Sequence, residues 1–241
     1  MATMLRDMFS RKSSFAKQSI SYSKLDHVQR TLIIVIRLFL FAAFVVMLAT
    51  GAPGKAFLVA ILLVATYVPH FLFERGYKVA LPVEFHFVAI IFLFSCIYAG
   101  TISHLYAFWP WWDDAMHGVS GIVFGFLGFM VLYTLHEQKK IKMSLKLLAL
   151  FAFCFGVASG AIWEIAEYFS DTFLGTNAQH ANQDTMDDIV LDALGALVVS
   201  IAGYRYLKNG KGYLHRLLSN FKYHNPQLFG STGAPEETEA K

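Results

Sequence analysis

The chain has 241 residues, of which 56% are hydrophobic and 15% charged, with a formal net charge of +3 and a mean hydropathy of +0.49. A soluble domain is about half apolar and a quarter charged; here the apolar residues also lie in long runs. That excludes an ordinary soluble domain and points to an all-α, polytopic transmembrane helical bundle with membrane lipids as its surroundings. No nucleic-acid partner is expected.

Residues 1–30 form a basic, Ser-rich segment ahead of the first apolar run. A secretory signal has a shorter basic region and a shorter apolar core, so this run is read as a retained first helix. Six runs, 31–50, 57–74, 83–104, 115–135, 146–169 and 188–206, each have about the 17–25 residues that a membrane helix needs. The membrane domain is therefore expected over 31–206. Residues 207–241 are basic and aromatic and end in STGAPEETEAK, which predicts a cytoplasmic, partly disordered tail. Lysine and arginine set the orientation. Arg6, Arg11, Lys12, Lys17, Lys24 and Arg30 precede the first run, Arg75 and Lys78 follow the second, and Lys139, Lys140, Lys142 and Lys146 lie between the fourth and fifth. The loops of the other side offer only Lys55. By the positive-inside rule both termini lie in the cytoplasm of a multi-pass cell-membrane protein. Trp109, Trp111, Trp112 and Trp163 then fall toward the outer face, as an interfacial aromatic belt does. Cys96 and Cys154 lie inside apolar runs and read as small core residues.

The first three runs are almost purely apolar. Arg37 is expected to snorkel to the cytoplasmic side, His70 and Glu84 to be interfacial or capping residues, and His86 has no assigned role. The last three runs carry small residues at helical spacing: Gly118, Gly121, Gly125 and Gly128, then Gly156 and Gly160, then Ala196 and Ser200. Such residues let backbones approach, which predicts a tight sub-bundle of helices four to six.

The outer ends of those three helices carry the chemistry. Asp113 and His117 are four apart; Glu164, Glu167 and Asp171 are spaced i, i+3, i+7; Asp184, Asp188 and Asp192 are spaced by four. Each set shares one helix face, while Asp114 and Asp187 point elsewhere. All three sets lie at one membrane depth, with no lysine or arginine beside them. Clustered carboxylates repel one another. A divalent cation, shared protons or plain solvation resolves the conflict. Carboxylates with one imidazole suit Mg, Mn, Zn or non-haem Fe. The expected metal ligands are Asp113, His117, Asp184 and Asp188, with Glu164 and Glu167 as catalytic groups, either being a candidate general base. Alternatively Asp188 and Asp192 complement a helix dipole, and Glu167 and Asp171 are in water. In the loop between the fifth and sixth runs, Asn177, Gln179, His180, Asn182 and Gln183 either contact substrate or keep the loop soluble, and His180 is a further candidate ligand.

The stretches DDAMHG, WEIAEY and FLGT…QDTMDDIVLDALGA resemble the YjdF-like bacterial inner-membrane proteins, relatives of the VanZ-like proteins. Asp113, His117, Glu164, Glu167, Asp184, Asp188, Gly195 and Ala196, with Phe173 to Thr176, match that pattern over about residues 110 to 200; Asp114 and Asp192 depart from it. The resemblance implies a bacterial inner-membrane location and a role connected with the cell envelope. Three functions follow as expectations: a metal-dependent enzyme acting on a lipid-linked or envelope substrate, an ion-coupled transporter using the carboxylates as a relay, or a non-catalytic membrane scaffold. The sequence leaves the substrate and the oligomeric state open.

Overall fold

A computed structural model describes residues 24–210 and 213–229, and these are helical with no strand among them. The helices are α1 (Lys24–Ala49), α2 (Pro53–Gly76), α3 (Val83–Ile102), α4 (Trp111–Glu137), α5 (Leu145–Leu174), α6 (Asn182–Asn209) and α7 (Tyr213–His224). Proline opens two of them. Pro53 sits at the start of α2 and Pro82 precedes α3, where a missing N–H removes no helical bond. Ser144 caps α5, its Oγ accepting from the Leu147 N–H at 3.3 Å. Gly175 and Gly210 end α5 and α6 in the left-handed region, at φ 67° and 64°. Glycine adopts that conformation without a Cβ penalty.

Five segments are long and apolar enough to cross a membrane: Asp26–Ala49, Pro53–Gly76, Val83–Ile102, Trp111–Glu137 and Leu145–Phe173. Their large side chains point mostly outward, as lipid-facing residues do. The sixth expected span, α6, is not among them, because Asp184, Asp187, Asp188 and Asp192 dilute its first three turns. Packing places it instead. α6 runs parallel to α4 and antiparallel to α5 along their whole length, so it shares their depth. A Cβ on Gly125 would lie 3.2 Å from the Ala196 Cα, one on Gly156 2.6 Å from the Ala196 Cβ, and one on Gly203 2.6 Å from the Phe129 ring. These contacts are the expected small-residue sub-bundle, and they extend to Gly195 against Gly118.

One end of the molecule collects the basic loops. There Leu218 and Phe221 of α7 complete a buried cluster with Phe129, Met130, Tyr133, Leu148 and Ala152. Lys222 pairs with Glu137. The fully buried Asn225 accepts from the Ala80 N–H and donates to the Ala80 carbonyl, each at 2.7 Å. The early part of the tail is thus a docked helix tied to the α2–α3 loop. The expected disorder of the last residues, and most of the basic N-terminal segment, lie outside the described residues.

The first half corrects one expectation. Arg37 does not snorkel. Its Nη2 donates to the Thr66 carbonyl at 2.7 Å, its Nε to the Thr66 hydroxyl at 3.2 Å, and its guanidinium covers the Tyr67 ring at 3.9 Å. Thr66 is fully buried where α2 passes from α-helical to π-helical geometry. The guanidinium therefore satisfies polar groups at a break in the ladder, a stronger demand than reaching the interface. Near the basic end, His70 lies 2.6 Å and His86 3.6 Å from Glu74. Glu84 stands in the first turn of α3, as expected for a helix N-terminus. Cys96 and Cys154 are free thiols.

Candidate functional site

The opposite, acidic end holds the site. α4 starts at Trp111, and Trp109, Trp111 and Trp112 cluster with ring centroids 5.6 to 6.3 Å apart, Trp109 stacked on Trp111 and Trp112 tilted against both. Two turns in, His117 is buried, 5% exposed. Its Nδ1 lies 2.9 Å from Asp192 Oδ2, and the other oxygen of that fully buried carboxylate accepts from Ser120 Oγ. Gly160 makes this possible: a Cβ there would lie 2.8 Å from the Asp192 Cβ and overlap its carboxylate. Asp192 thus fixes the imidazole so that Nε2 faces inward. Around Nε2 stand Glu164 Oε1 at 3.6 Å, Asp113 Oδ1 at 3.8 Å and Asp188 Oδ2 at 3.9 Å.

These distances are too long for hydrogen bonds and lie within ion-pair range. They also leave room for a small cation among the atoms, since two ligands about 2.1 Å from a tetrahedral ion stand about 3.4 Å apart. Glu164 sharpens the point. It is 3% exposed, and its two oxygens make no hydrogen bond of ordinary geometry, with the Thr185 hydroxyl the one side-chain donor close beside them. Thr185 lies beside it, its hydroxyl accepting from the Gln179 amide at 3.1 Å. A buried carboxylate with at most one donor beside it is expensive unless it meets a positive charge.

The expected site residues divide into two groups. His117, Glu164 and Asp188 offer one ligand atom each within 4.8 Å of one another, all buried; Asp113, His180 and Asp184 do the same nearer the surface. In the second group His180 Nδ1 lies 3.2 Å from Asp184 Oδ2. Asp113 joins the two through its approach to His117. Glu167 sits one turn outward from Glu164, half-buried, and accepts from the Trp163 indole N–H at 2.9 Å. Asp171 is no part of either group, and it is not simply in water. It accepts from the Thr176 hydroxyl at 2.6 Å and from the Ala178 and Gln179 N–H groups at 2.7 and 3.0 Å. It so pins the α5–α6 loop that carries His180. Asp187 accepts from Gln183 away from the site, and Asp114 is exposed.

Sequence reasoning placed Asp192 on the right face but offered it only a helix-dipole role, and it missed Ser120 and Tyr106. The signal for Asp192 was the glycine pair Gly121 and Gly160, which admits its backbone and side chain between α4 and α5. Tyr106 lies on a one-turn helix, Leu105–Phe108, before α4. Its ring rests on Gly100, where a Cβ would lie 2.6 Å from Tyr106 Cζ. Burial pushes the Tyr106 hydroxyl above its ordinary range, with the neighbouring Cys96 thiol and Asp113 carboxylate adding to the effect. The N-terminal half therefore borders the site through this residue.

A protein of Thermotoga maritima described as uncharacterized is 30% identical over 116 residues, 48% of this chain. The chain spans 58% of that relative's length. No solved structure matches. Residues 31–209 match the family described as "Predicted membrane protein (DUF2238)", the YjdF-like family. That match covers most of α1 and all of α2 to α6, and the chain belongs to this family of membrane proteins.

Proposed function

We propose that the acidic end is a divalent-metal site and that the protein is a membrane-embedded, metal-dependent enzyme. His117 Nε2, Glu164 and Asp188 are its ligands, Asp113 is a fourth group within reach, and Asp192 orients the imidazole. The observation that carries the reading is the buried Glu164 carboxylate, which has the Thr185 hydroxyl alone as a donor beside it and faces His117 Nε2. The Asp192–His117 pair supports it. A ligating histidine usually gives its other ring nitrogen to a carboxylate, which fixes the tautomer. A metal held by nitrogen and oxygen donors polarises a carbonyl or phosphoryl oxygen, or lowers the pKa of bound water. We assign Glu164 to the metal. Glu167, half-buried one turn outward, exchanges a proton with the substrate.

The six helices and the one-sided lysine and arginine pattern support cytoplasmic termini and a site in the outer half of the cell membrane. The VanZ-like resemblance of the motifs supports a lipid-linked or envelope substrate. An enzyme is favoured over an ion-coupled carrier by the interior below the site. A relay through α4–α6 would have to cross the apolar cluster of Phe129, Met130, Leu148 and Ala152. Elemental analysis of purified protein tests the reading. Glu164→Ala and Asp188→Ala should each lose the metal while keeping wild-type helix content by circular dichroism. Full retention of metal in both variants ends it.

A further inference from the structure

At the basic end, opposite the acidic site, α5 and α6 border a groove of about 740 Å³ that is lined by these two helices alone. That size is within the roughly 300–1,000 Å³ of small-molecule sites. Ala149 and Ser200 are buried at its floor, where Ser200 donates its hydroxyl to the Ala149 carbonyl at 2.6 Å. The polar side chain of the floor is thus already satisfied. Leu150 and Phe153 of α5 and Leu197 and Ile201 of α6 form the walls. Leu150, Leu197 and Ile201 are 52%, 43% and 45% exposed, so the groove opens sideways onto lipid.

The end of the groove nearer the basic loops has the opposite character. Lys146 in the first turn of α5 and Arg205 and Lys208 in the last turns of α6 line it, all three exposed. No acidic residue lines the groove. Among the described residues, no carboxylate stands within ion-pair distance of any of the three. Arg205 and Lys208 suit the C-terminus of α6, whereas Lys146 is placed against the positive end of α5. An anion at this rim would relieve that conflict and neutralise the other two cations. From Lys208 to Leu197 the groove follows α6 for about 16 Å at 1.5 Å per residue, roughly half of the ~30 Å hydrocarbon core. Charge and depth together match one amphiphile of one leaflet, with an anionic head and an apolar chain. A soluble anion would leave the apolar walls bare, and a zwitterionic lipid would leave the cations without a net counter-charge.

We infer that the groove binds an anionic phospholipid, its phosphate held by Lys146, Arg205 and Lys208 and an acyl chain lying along Leu150, Phe153, Leu197 and Ile201. The inference is independent of the metal reading, which concerns the other end of the molecule. The test delipidates the full chain in a neutral detergent and adds equal amounts of phosphatidylglycerol and phosphatidylcholine with matched acyl chains. Native mass spectrometry then counts the lipids retained. One phosphatidylglycerol per chain should be held, favoured at least about fivefold, the effect of one lysine or arginine on an anionic lipid. Lys146→Gln, Arg205→Gln and Lys208→Gln together should bring the two lipids within about twofold of each other. Lys139→Gln, Lys140→Gln and Lys142→Gln together remove the same charge from the neighbouring α4–α5 loop and should leave the preference unchanged. If the groove variant does not fold, Lys146→Gln and Arg205→Gln taken singly should each lower the preference, and no change in either overturns the inference. Equal retention of the two lipids by the wild type, or an equal loss in the loop variant, also overturns it. So does displacement of the lipid by soluble glycerol phosphate, because the cations then take a free phosphate.

Discussion

Asp192→Asn tests the site through a residue that touches no proposed ligand position of the metal. The substitution keeps the size of the side chain and the Ser120 contact, and it removes the negative charge 2.9 Å from His117 Nδ1. Asp192 is fully buried, so water does not take its place. A hydrogen bond to a charged group in such surroundings contributes about 1.5–3 kcal/mol. Loss of a carboxylate behind a ligating histidine typically lowers metal affinity by about 10–100-fold, and the two magnitudes agree at about 1.4 kcal/mol per tenfold. Competition with a graded chelator series on detergent-purified protein reads the affinity, and thermal unfolding followed by circular dichroism reads the fold. Affinity within a factor of about two of wild type, with the fold intact, would refute the orienting role and the tautomer argument together.

Gly160→Ala drives a methyl group into the Asp192 carboxylate. It should destabilise the bundle by about 1–3 kcal/mol and weaken metal retention in parallel, both visible in melts taken with and without chelator. Asn225→Ala leaves the Ala80 N–H and carbonyl without their partner, at about 1–3 kcal/mol for each group left buried and unpaired; limited proteolysis should then cut the α2–α3 loop faster than in the wild type. Arg37→Met keeps an unbranched apolar stem but removes the guanidinium and abandons the Thr66 carbonyl inside the membrane; the melting temperature should fall while metal content is unchanged. The metal ligands must be deprotonated to bind, so metal occupancy should be full at neutral pH and fall as the pH is lowered, which equilibrium dialysis at graded pH measures.

The hydropathy runs and the alternation of basic loops revealed the helices because lipid imposes length and apolarity on every span. α6 shows the limit of that signal: its aspartates hide it by composition, and only packing against α4 and α5 shows its depth. The docked α7 was not legible either, since an amphipathic helix with lysines reads the same whether its apolar face meets protein or lipid. At the site, spacing by three and four put the carboxylates and His117 on common faces, and that much survives in the structure. Spacing could not rank them. Which oxygens approach His117 Nε2 depends on how α4, α5 and α6 are rotated, and that rotation is set by glycines at Gly121, Gly160 and Gly195. For the same reason Asp184 stands with His180 near the surface while Glu164 takes the buried place. Asp171 looked like a third site carboxylate by its spacing, but the left-handed turn at Gly175 brings the loop N–H groups back onto it.

X-ray absorption at the edge of whichever metal co-purifies with the full chain tests the central claim most directly. The account predicts a bound ion with one imidazole and carboxylate oxygens at about 2.0–2.2 Å, lost on Glu164→Ala. A metal-free protein, or an ion surrounded by sulfur or by water alone, would contradict it.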